Sequence, residues 1–290
     1  MSTSEPFSLF QWIDTGIYTA KPMHPLAVDE ALVNAMSRPD AKPVIHLWVY
    51  DQAFYLGRRD AKLPHLAHAL QTFSRPVAPQ TKGYGCVLRS SGGACVPLDA
   101  GVLNMAIQLP TTDISIDGFF KMASDMLTVG LRDYGTIEFG EVTDSYCVGD
   151  YDFALSGKKI GGMAQRRTRH GSVLQLCINI EGSGQARGEL MEQFYLHAGL
   201  HEMEPQQKPI PGIKAETIGS LTQHHGKFVT VEEVKERLFR SFTSVWDAER
   251  APLIVNADEV GAANEHLTER LRLFSFTADE IRNPEWKLPL

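Results

Sequence analysis

The sequence predicts an α+β fold, in which a mostly β body is followed by a smaller helical part. Segments of strand and helix character are mixed up to about residue 185, which leaves an α/β arrangement as the alternative. Beyond residue 185 apolar residues recur at helical spacing. Because 290 residues exceed the usual size of one domain, we predict a body over residues 1–225 and a helical C-terminal extension over 226–290.

The first half of the chain predicts helices and strands in mixed order. Residues 26–36 carry apolar side chains at helical spacing, and residues 43–60 predict two strands about a turn at Asp51 and Gln52. Pro64 predicts the start of a helix through Leu70. A strand then leads into a loop of small residues, and a second strand is predicted from Val102 to Leu109. A helix follows and ends near Gly135.

The second half predicts a β-meander and then several helices. The turns of the meander fall at Ser156-Gly157 and His170-Gly171. Two capping-box patterns, Thr230 with Glu233 and Thr277 with Glu280, predict helix starts. The first of these helices carries an apolar stripe of Val231, Val234, Leu238 and Val245. A further helical piece is predicted over Asn264 to Phe274, and Pro284 ends the last one.

Composition argues against several classes of partner. The formal net charge is -7 and the pI is near 5.8, whereas nucleic acids and anionic membranes require a positive field. No run approaches the roughly 18 apolar residues that cross a bilayer, and the first residues lack the basic and apolar regions of a secretory signal. We therefore expect a cytoplasmic protein.

The four cysteines are expected to be free thiols, because their wide and irregular spacing fits neither a redox pair nor a zinc site. No metal is predicted. Cys147 lies in the polar segment SYCVGDYDF, so it is the best candidate for a nucleophile, although a lone cysteine is more often structural. Cys177 is predicted to be a buried strand residue, and the roles of Cys86 and Cys95 stay open.

The segment RSSGGA at residues 89–94 combines an arginine with two glycines after a predicted strand. Gly92 and Gly93 allow the backbone to approach a ligand closely, and consecutive N–H groups there can receive an acyl oxygen. Arg89 is placed to anchor an acyl donor or a carboxylate. The alternative is a tight connection with a solvated arginine.

Lys158 and Lys159 follow Cys147 closely and are candidates for a charge that favours its thiolate. In a simple hairpin over residues 151–165, however, Lys159 faces residues near 154. The segment before Tyr151 must therefore fold back to bring the thiol near, and spacing alone does not decide this. The basic residues 158, 159, 166, 167 and 169 are candidates to face an acidic carrier, and for the three arginines among them a solvated strand face is the alternative.

Two motifs carry a resemblance to a known family. RSSGGACVPLDAGVLNMAI resembles the first signature of the biotin/lipoate protein ligase catalytic domain, with Asp99, Gly101 and Asn104 at its matching positions. GKKIGGMAQRR resembles the second signature, with Lys159, Gly162 and Ala164 matching. Many relatives have a histidine before the aspartate, where this chain has Leu98, so no role for such a histidine carries over.

The cysteine before GDYD is similar to the distinguishing feature of one branch, the N-octanoyltransferases that use octanoylated glycine cleavage H protein. This resemblance implies a mixed-sheet ligase-like domain and no cofactor. It also implies octanoylated H protein as donor and lipoyl domains of 2-oxoacid dehydrogenases as acceptors. Cys147 would be the acyl-thioester nucleophile and Lys159 would favour its thiolate. The residues expected to bind substrate are Arg89, Ser91, Gly92, Gly93, Ala94, Asp99, Asn104, Gly162 and Ala164.

Three other functions stay open. An ATP-dependent lipoate–protein ligase of the same fold activates the acid as an adenylate and needs no cysteine. A transferase that takes octanoyl from acyl carrier protein is separated only by the branch resemblance. A non-catalytic carrier-binding module would have kept the fold without the chemistry, and the joint presence of Cys147 and Lys159 counts against it.

Overall fold

Two mixed β-sheets dominate the computed structural model, which describes residues 9–78, 80–90, 92–271 and 275–288. The larger sheet has eight strands, in the spatial order β11 (Ala248–Arg250), β1 (Phe10–Tyr18), β2 (Val44–Tyr50), β6 (Val102–Leu109), β10 (Ser172–Asn179), β9 (Lys158–Arg167), β8 (Asp152–Leu155) and β7 (Glu138–Phe139). β1 runs parallel to both of its neighbours, and the other pairs are antiparallel.

The smaller sheet and the helices cover the larger sheet. The smaller sheet has the order β12 (Ser275–Phe276), β4 (Gly85–Leu88), β3 (Gln52–Leu56) and β5 (Val96–Asp99). The helices are α1 (His24–Ala35), α2 (Leu66–Phe73), α3 (Ile116–Leu131), α4 (Gly184–His197), α5 (Leu221–His225), α6 (Val231–Thr243), α7 (Ala257–Leu271) and α8 (Ala278–Arg282).

β2 shows how the two faces of the larger sheet differ. All seven of its residues are buried, and side chains alternate between faces along a strand. Leu47 and its same-face neighbours pack with α3 and α6, whereas Trp48 and its neighbours pack with α1 and the smaller sheet. The sheet is therefore covered on both sides, and the side with α1 and the smaller sheet contains the pocket described below.

The described elements confirm the predicted α+β class and most predicted segments. The helix near 26–36, the strand over 102–109 and the three-strand meander are all present. The strands over 43–57 are also present, but they separate at Asp51 into different sheets. β5 was missed because Pro97 argues against a strand. It is tolerated here because β5 lies at the edge of the smaller sheet, where a proline removes no essential bond.

The C-terminal helices begin where the threonines predicted. The Thr230 hydroxyl accepts a hydrogen bond from the Glu233 N–H, and the Thr277 pattern forms a complete capping box. Val245 lies beyond the end of α6 and is exposed, so the predicted stripe was too long. Phe274 lies outside the described residues. β11 and β12 are edge strands of the two sheets, and the domain boundary at residue 225 stays a prediction.

Neither a membrane-spanning helix nor a metal site is found in the described part of the chain. None of its helices has both the length and the apolar character needed to span a membrane. Likewise, no three His, Cys, Asp or Glu side chains within those ranges converge in a way that could hold a metal ion.

Candidate active site

The floor of the candidate site is a row of residues that crosses the larger sheet. The strand register aligns Trp48 of β2, Asn104 of β6, Cys177 of β10, Gly162 of β9 and Asp152 of β8. The next row on the same face consists of His46, Ala106, Gln175 and Ala164. Gly162 and Ala164, the residues of β9 in these two rows, are small and line the pocket described below.

Lys159 lies at one end of this floor and holds the segment that carries Cys147. Its partner across the hairpin is Ala154, as the sequence predicted, and the register shifts at that point. The segment before β8 also folds back over the strand, so that the Lys159 Nζ donates hydrogen bonds to the carbonyl oxygens of Tyr146 at 2.9 Å and Cys147 at 2.8 Å. The tertiary structure therefore brings together the two residues predicted to be catalytic.

The backbone of Cys147 is in the left-handed region, with a φ of 51°. Residues with a Cβ rarely adopt this conformation, which costs free energy unless surrounding contacts hold it. The two hydrogen bonds from Lys159 are such contacts. They fix a half-buried thiol at the wall of a pocket instead of in the core.

Asp152 is a site residue that the sequence analysis missed. Its Oδ1 lies 2.8 Å from the Lys159 Nζ, and both side chains are almost completely buried. The Gly149 N–H donates to its Oδ2 at 3.2 Å. Burial raises the pKa of Asp152 above its ordinary value, and the neighbouring Lys159 opposes that rise. The available signal was its place in GDYD, since a carboxylate at the start of a buried strand needs a cationic partner.

Gly162 is required by the same ion pair. A Cβ at this position would lie 2.8 Å from the Asp152 Oδ1, which is closer than side chains approach one another. Gly162 also lines the pocket described below, so its expected place in the site has a physical reason, and a direct role toward substrate stays a prediction.

Gly93 and Arg89, from the glycine-rich segment, lie next to the Cys147 thiol. Gly93 has a φ of 88°, and a Cβ there would lie 2.6 Å from the Cys147 Sγ. The Arg89 side chain contacts both the loop and the thiol. Its Nη2 nitrogen donates to the Ala94 carbonyl oxygen at 2.6 Å and to the Cys147 Sγ at 3.3 Å. The arginine predicted to bind substrate therefore contacts the thiol directly. Ser91 lies outside the described residues.

A pocket of about 260 Å³ opens between these elements. Its apolar walls come from α1, the two sheets and the segment after Cys147. Of the predicted site residues it is lined by Arg89, Gly92, Gly93, Asn104, Cys147, Lys159, Gly162 and Ala164, but not by Ala94 or Asp99. Ala94 is buried behind the loop, and Asp99 makes an ion pair with Arg187. A pocket with apolar walls that is lined by a thiol is suited to hold an acyl chain.

The pocket is bordered on the side of α1 by a polar cluster that the sequence analysis also missed. Asp29 accepts a hydrogen bond from the Gln175 Nε2 at 2.8 Å, and its other oxygen lies 2.7 Å from the His46 Nδ1. His46 also contacts the Thr15 hydroxyl. Asp29 and Gln175 line the pocket. The sequence signal was His46 inside an apolar strand, because a buried polar ring needs partners.

The other three cysteines differ from Cys147. Cys86 and Cys95 are completely buried, and burial raises the pKa of both thiols. Cys177 lines the pocket, and burial raises its pKa to about 11. Such thiols are mostly protonated near neutral pH and are poor nucleophiles. Cys177 is thus a useful control for chemistry at Cys147.

The predicted basic run does not form one surface. Arg166 forms an ion pair with Glu30, and Arg167 donates to the carbonyl oxygens of Thr112 and Ile114. Lys159 is buried in the site. Only Lys158 and Arg169 of this run are exposed, so most of the run serves internal contacts and neither of the two earlier interpretations describes it.

Beneath the glycine loop lies a buried carboxylate. Asp60 accepts hydrogen bonds from the Gly57 N–H and the Tyr195 hydroxyl, both at 2.7 Å. The Tyr195 oxygen in turn accepts from the Cys95 N–H at 3.1 Å. Burial raises the pKa of Asp60 to about 6, although its hydrogen bonds lower it. The loop is therefore supported from below by a group that titrates just under neutral pH.

This carboxylate predicts a pH dependence of stability. Because its folded-state pKa is above the ordinary value, the folded protein binds more protons than the unfolded chain between about pH 4 and pH 6. Stability is thus lost as pH rises through this window, by about 2–3 kcal/mol from Asp60. Asp60→Asn lacks this loss. Measured by urea titration, its free energy of unfolding minus that of the unsubstituted protein should therefore increase as pH rises over the same window.

The control is Asp125→Asn, an exposed carboxylate on α3. Its stability difference from the unsubstituted protein should stay nearly constant over the same pH values. An Asp60→Asn difference that is equally flat would contradict the assignment of this pH dependence to Asp60.

Known proteins resemble this chain in sequence and in fold. The family described as lipoyl protein ligase A/B catalytic domain matches residues 21–243. A Geobacillus kaustophilus protein named octanoyl-[GcvH]:protein N-octanoyltransferase is 34% identical over 221 residues, which is 75% of this chain and 75% of that protein. An Exiguobacterium sibiricum relative of the same name is 36% identical over 217 residues, covering 74% of this chain and 76% of its own.

Solved structures share the fold at low identity. A structure described as lipoate-protein ligase A bound with ATP has a TM-score of 0.62 at 16% identity and covers 92% of this chain and 96% of its own. The family match and the relatives named as octanoyltransferases, together with a thiol at the wall of an apolar pocket, identify an acyltransferase. The chain belongs to the lipoyl protein ligase A/B catalytic-domain family.

Proposed function

We propose that this protein is an N-octanoyltransferase that moves an octanoyl group from the lysine of glycine cleavage H protein to a lysine of a lipoyl domain. The single observation that carries the proposal is the Cys147 thiol, held at the wall of an apolar pocket between Arg89 and Lys159. Relatives at 30–36% identity, named as octanoyltransferases that use GcvH, support it.

The first step forms an acyl-enzyme. The Cys147 thiolate attacks the carbonyl carbon of the octanoyl amide, and a C–S bond forms. The C–N bond then breaks, and the leaving lysine nitrogen of the donor takes up a proton. A thioester suits this exchange because it keeps the acyl group reactive and divides one difficult step into two. Gly92 and Gly93 line the same pocket as Cys147, and their N–H groups are proposed to receive the developing oxyanion.

The second step reverses the first with a different carrier. The neutral lysine amine of the acceptor attacks the thioester, a new C–N bond forms, and the thiolate leaves. The amine proton lost in this step balances the one gained by the donor. We propose that solvent in the pocket carries these protons, because the Lys159 ammonium already donates to the carbonyl oxygens of Tyr146 and Cys147 and pairs with Asp152. One amide is exchanged for another, so no ATP or other cofactor is required.

The ligase alternative differs in what it needs from the site. A ligase must bind ATP and activate a free acid, and it has no use for a thiol beside the pocket. A non-catalytic carrier-binding module likewise has no use for a strained cysteine fixed by a buried lysine. These features favour transfer. An octanoyl-acyl carrier protein donor would use the same thioester and is separated by the assay below.

The experiment supplies octanoylated H protein without ATP and follows the enzyme by intact mass. We expect one octanoyl adduct that hydroxylamine removes, and transfer onto an added lipoyl domain. A strict need for ATP would instead identify a ligase. A preference for octanoyl-acyl carrier protein over octanoylated H protein would replace the proposed donor. Absence of any adduct or product with octanoylated H protein, with octanoyl-acyl carrier protein, and with octanoic acid plus ATP would leave only a carrier-binding role.

The polar cluster predicts which acyl lengths fit. Gln175 lies two residues, or about 7 Å, along the strand from the row that contains Cys177 and Gly162. Its amide occupies the space beside Asp29, so it limits the depth available to a medium-length chain. In Gln175→Ala we expect the rate with decanoyl relative to octanoyl donor to rise up to about tenfold, because two more methylenes become buried.

The measurement is a competition between equal amounts of the two donors. Gln185→Ala, a surface glutamine of α4 paired with Glu189, is the matched control and should keep the original preference. If Gln175→Ala also keeps it, the acyl chain does not run toward this cluster.

A further inference from the structure

The Lys159 ammonium has no proton left for the thiol. An ammonium donates three hydrogen bonds, and three acceptors surround this one. They are the Tyr146 carbonyl oxygen at 2.9 Å, the Cys147 carbonyl oxygen at 2.8 Å and the Asp152 Oδ1 at 2.8 Å. In this arrangement the lysine is bonded to the backbone of Cys147 and to a carboxylate, and no donor remains to stabilise the sulfur.

The charge of Lys159 is also offset locally. Asp152 is buried beside it, so the pair presents little net charge to its surroundings. A thiolate needs a nearby positive charge or hydrogen-bond donor to be stabilised. The Lys159–Asp152 pair supplies neither to the sulfur directly.

Arg89 supplies both a positive charge and a hydrogen-bond donor to the Cys147 sulfur. Its Nη2 lies 3.3 Å from the Cys147 Sγ, within hydrogen-bond distance for sulfur, and the Ala94 carbonyl oxygen fixes the same nitrogen at 2.6 Å. A guanidinium stays protonated at every pH at which the protein is folded, so its charge is constant. Hydrogen bonds to ionised groups are roughly twice as strong as those between neutral groups.

The contact depends on the glycine loop. A Cβ on Gly93 would lie 2.6 Å from the Cys147 Sγ and 2.8 Å from the Arg89 Nη2. The absence of a side chain at this position is what lets the sulfur and the guanidinium meet. Gly93 thereby has a role in the approach of two protein groups, besides its proposed role toward substrate.

We propose that the Arg89 guanidinium is the catalytic group that stabilises the Cys147 thiolate, and that Lys159 is a positioning residue that holds the cysteine backbone in its left-handed conformation. This rests on the proposed function only in taking Cys147 as the nucleophile. On ionisation the S–H proton passes to solvent, and Arg89 keeps its protons throughout.

The test is the rate of iodoacetamide alkylation of Cys147 between pH 6 and pH 10 in the full-length protein, with the modified peptide resolved by mass spectrometry. For Arg89→Gln we expect the profile to move about one unit toward higher pH. Near pH 7 the rate should fall about threefold, because a less acidic thiol is a better nucleophile and offsets part of the tenfold loss of thiolate. Above the new midpoint the rate should exceed that of the unsubstituted protein.

This crossing of the two profiles separates ionisation from a structural defect, which would change the rate in one direction at all pH values. Arg89→Lys, which keeps the charge but not the planar fork, should give a smaller shift and serves if Arg89→Gln does not fold. The double variant Lys159→Met with Asp152→Asn, which removes the ion pair without leaving an unpaired carboxylate near the thiol, should shift the profile less than Arg89→Gln. A profile of Arg89→Gln or Arg89→Lys that coincides with the unsubstituted protein, or a larger shift in the double variant of Lys159 and Asp152, would overturn the assignment.

The two proposals fail in different assays. Alkylation requires no carrier protein, so an arginine effect without any octanoyl adduct would refute only the transferase function. If the octanoyl thioester forms but the alkylation profile is unchanged in the Arg89 variants, only the role of the arginine is refuted.

Discussion

Cys147→Ala is expected to lose the hydroxylamine-sensitive octanoyl adduct and to transfer octanoyl roughly 10⁴–10⁶-fold more slowly than the unsubstituted protein. Losses of this size follow removal of a covalent nucleophile, because the remaining groups can only bind and orient the substrates. The alanine removes one sulfur at a half-buried position, so the folded structure should persist. Intact mass and a transfer assay with octanoylated H protein provide the measurements.

Cys177→Ala is the matched control for this prediction. Cys177 lines the same pocket, but burial raises its pKa to about 11, so little thiolate is available near neutral pH. This variant should form the adduct and retain transfer within a few-fold. If instead the adduct persists in Cys147→Ala and disappears in Cys177→Ala, the nucleophile has been assigned to the wrong thiol.

Lys159→Met is expected to lower the free energy of unfolding by about 3–5 kcal/mol at neutral pH. The substitution leaves the Asp152 carboxylate buried without its cation, and an uncompensated buried charge is strongly destabilising. The carbonyl oxygens of Tyr146 and Cys147 also lose their donor, so transfer should fall as well. Urea denaturation and the same transfer assay measure the two effects.

Lys159→Met combined with Asp152→Asn tests the reason for this loss. The asparagine removes the stranded charge and can still accept from the Gly149 N–H, so the double variant should recover much of the stability but not the transfer. The loss in Lys159→Met should also shrink at low pH, since protonation of a buried carboxyl with a raised pKa relieves the penalty. A double variant as unstable as Lys159→Met would show that the ion pair is not the cause.

The local pattern of the sequence was sufficient for most of the fold. The segment from Val102 to Leu109, after a loop of small residues, and the glycine turns of the meander predicted β6 and the three strands of residues 152–179. Thr230 and Thr277 located helix starts because a capping hydroxyl acts on an N–H only three residues away. Pairing between distant strands has no such local signal. β2 and β3 therefore read as neighbours about a turn, although they lie in different sheets.

The site was predictable in part for the same reason. Arg89, Gly93, Cys147 and Lys159 could be selected from motifs, and the structure places all four around one pocket. Asp152, Asp29 and Gln175 were missed because their importance comes from burial and from partners elsewhere in the chain. Asp99 matched a motif but pairs with Arg187 outside the pocket.

By itself the sequence determined the types of chemistry available, namely a thiol in a polar segment, a lysine on a strand and a glycine loop behind an arginine. Only the tertiary structure decided which of these groups contact one another. The segment before Asp152 folds back, so that Lys159 bonds to the backbone of Cys147 and to the Asp152 carboxylate. Gly93 has no side chain, and Arg89 can therefore contact the Cys147 sulfur. Hydrogen-bond capacity is limited and directional, so the choice of partner depends on positions in space that spacing along the chain does not encode.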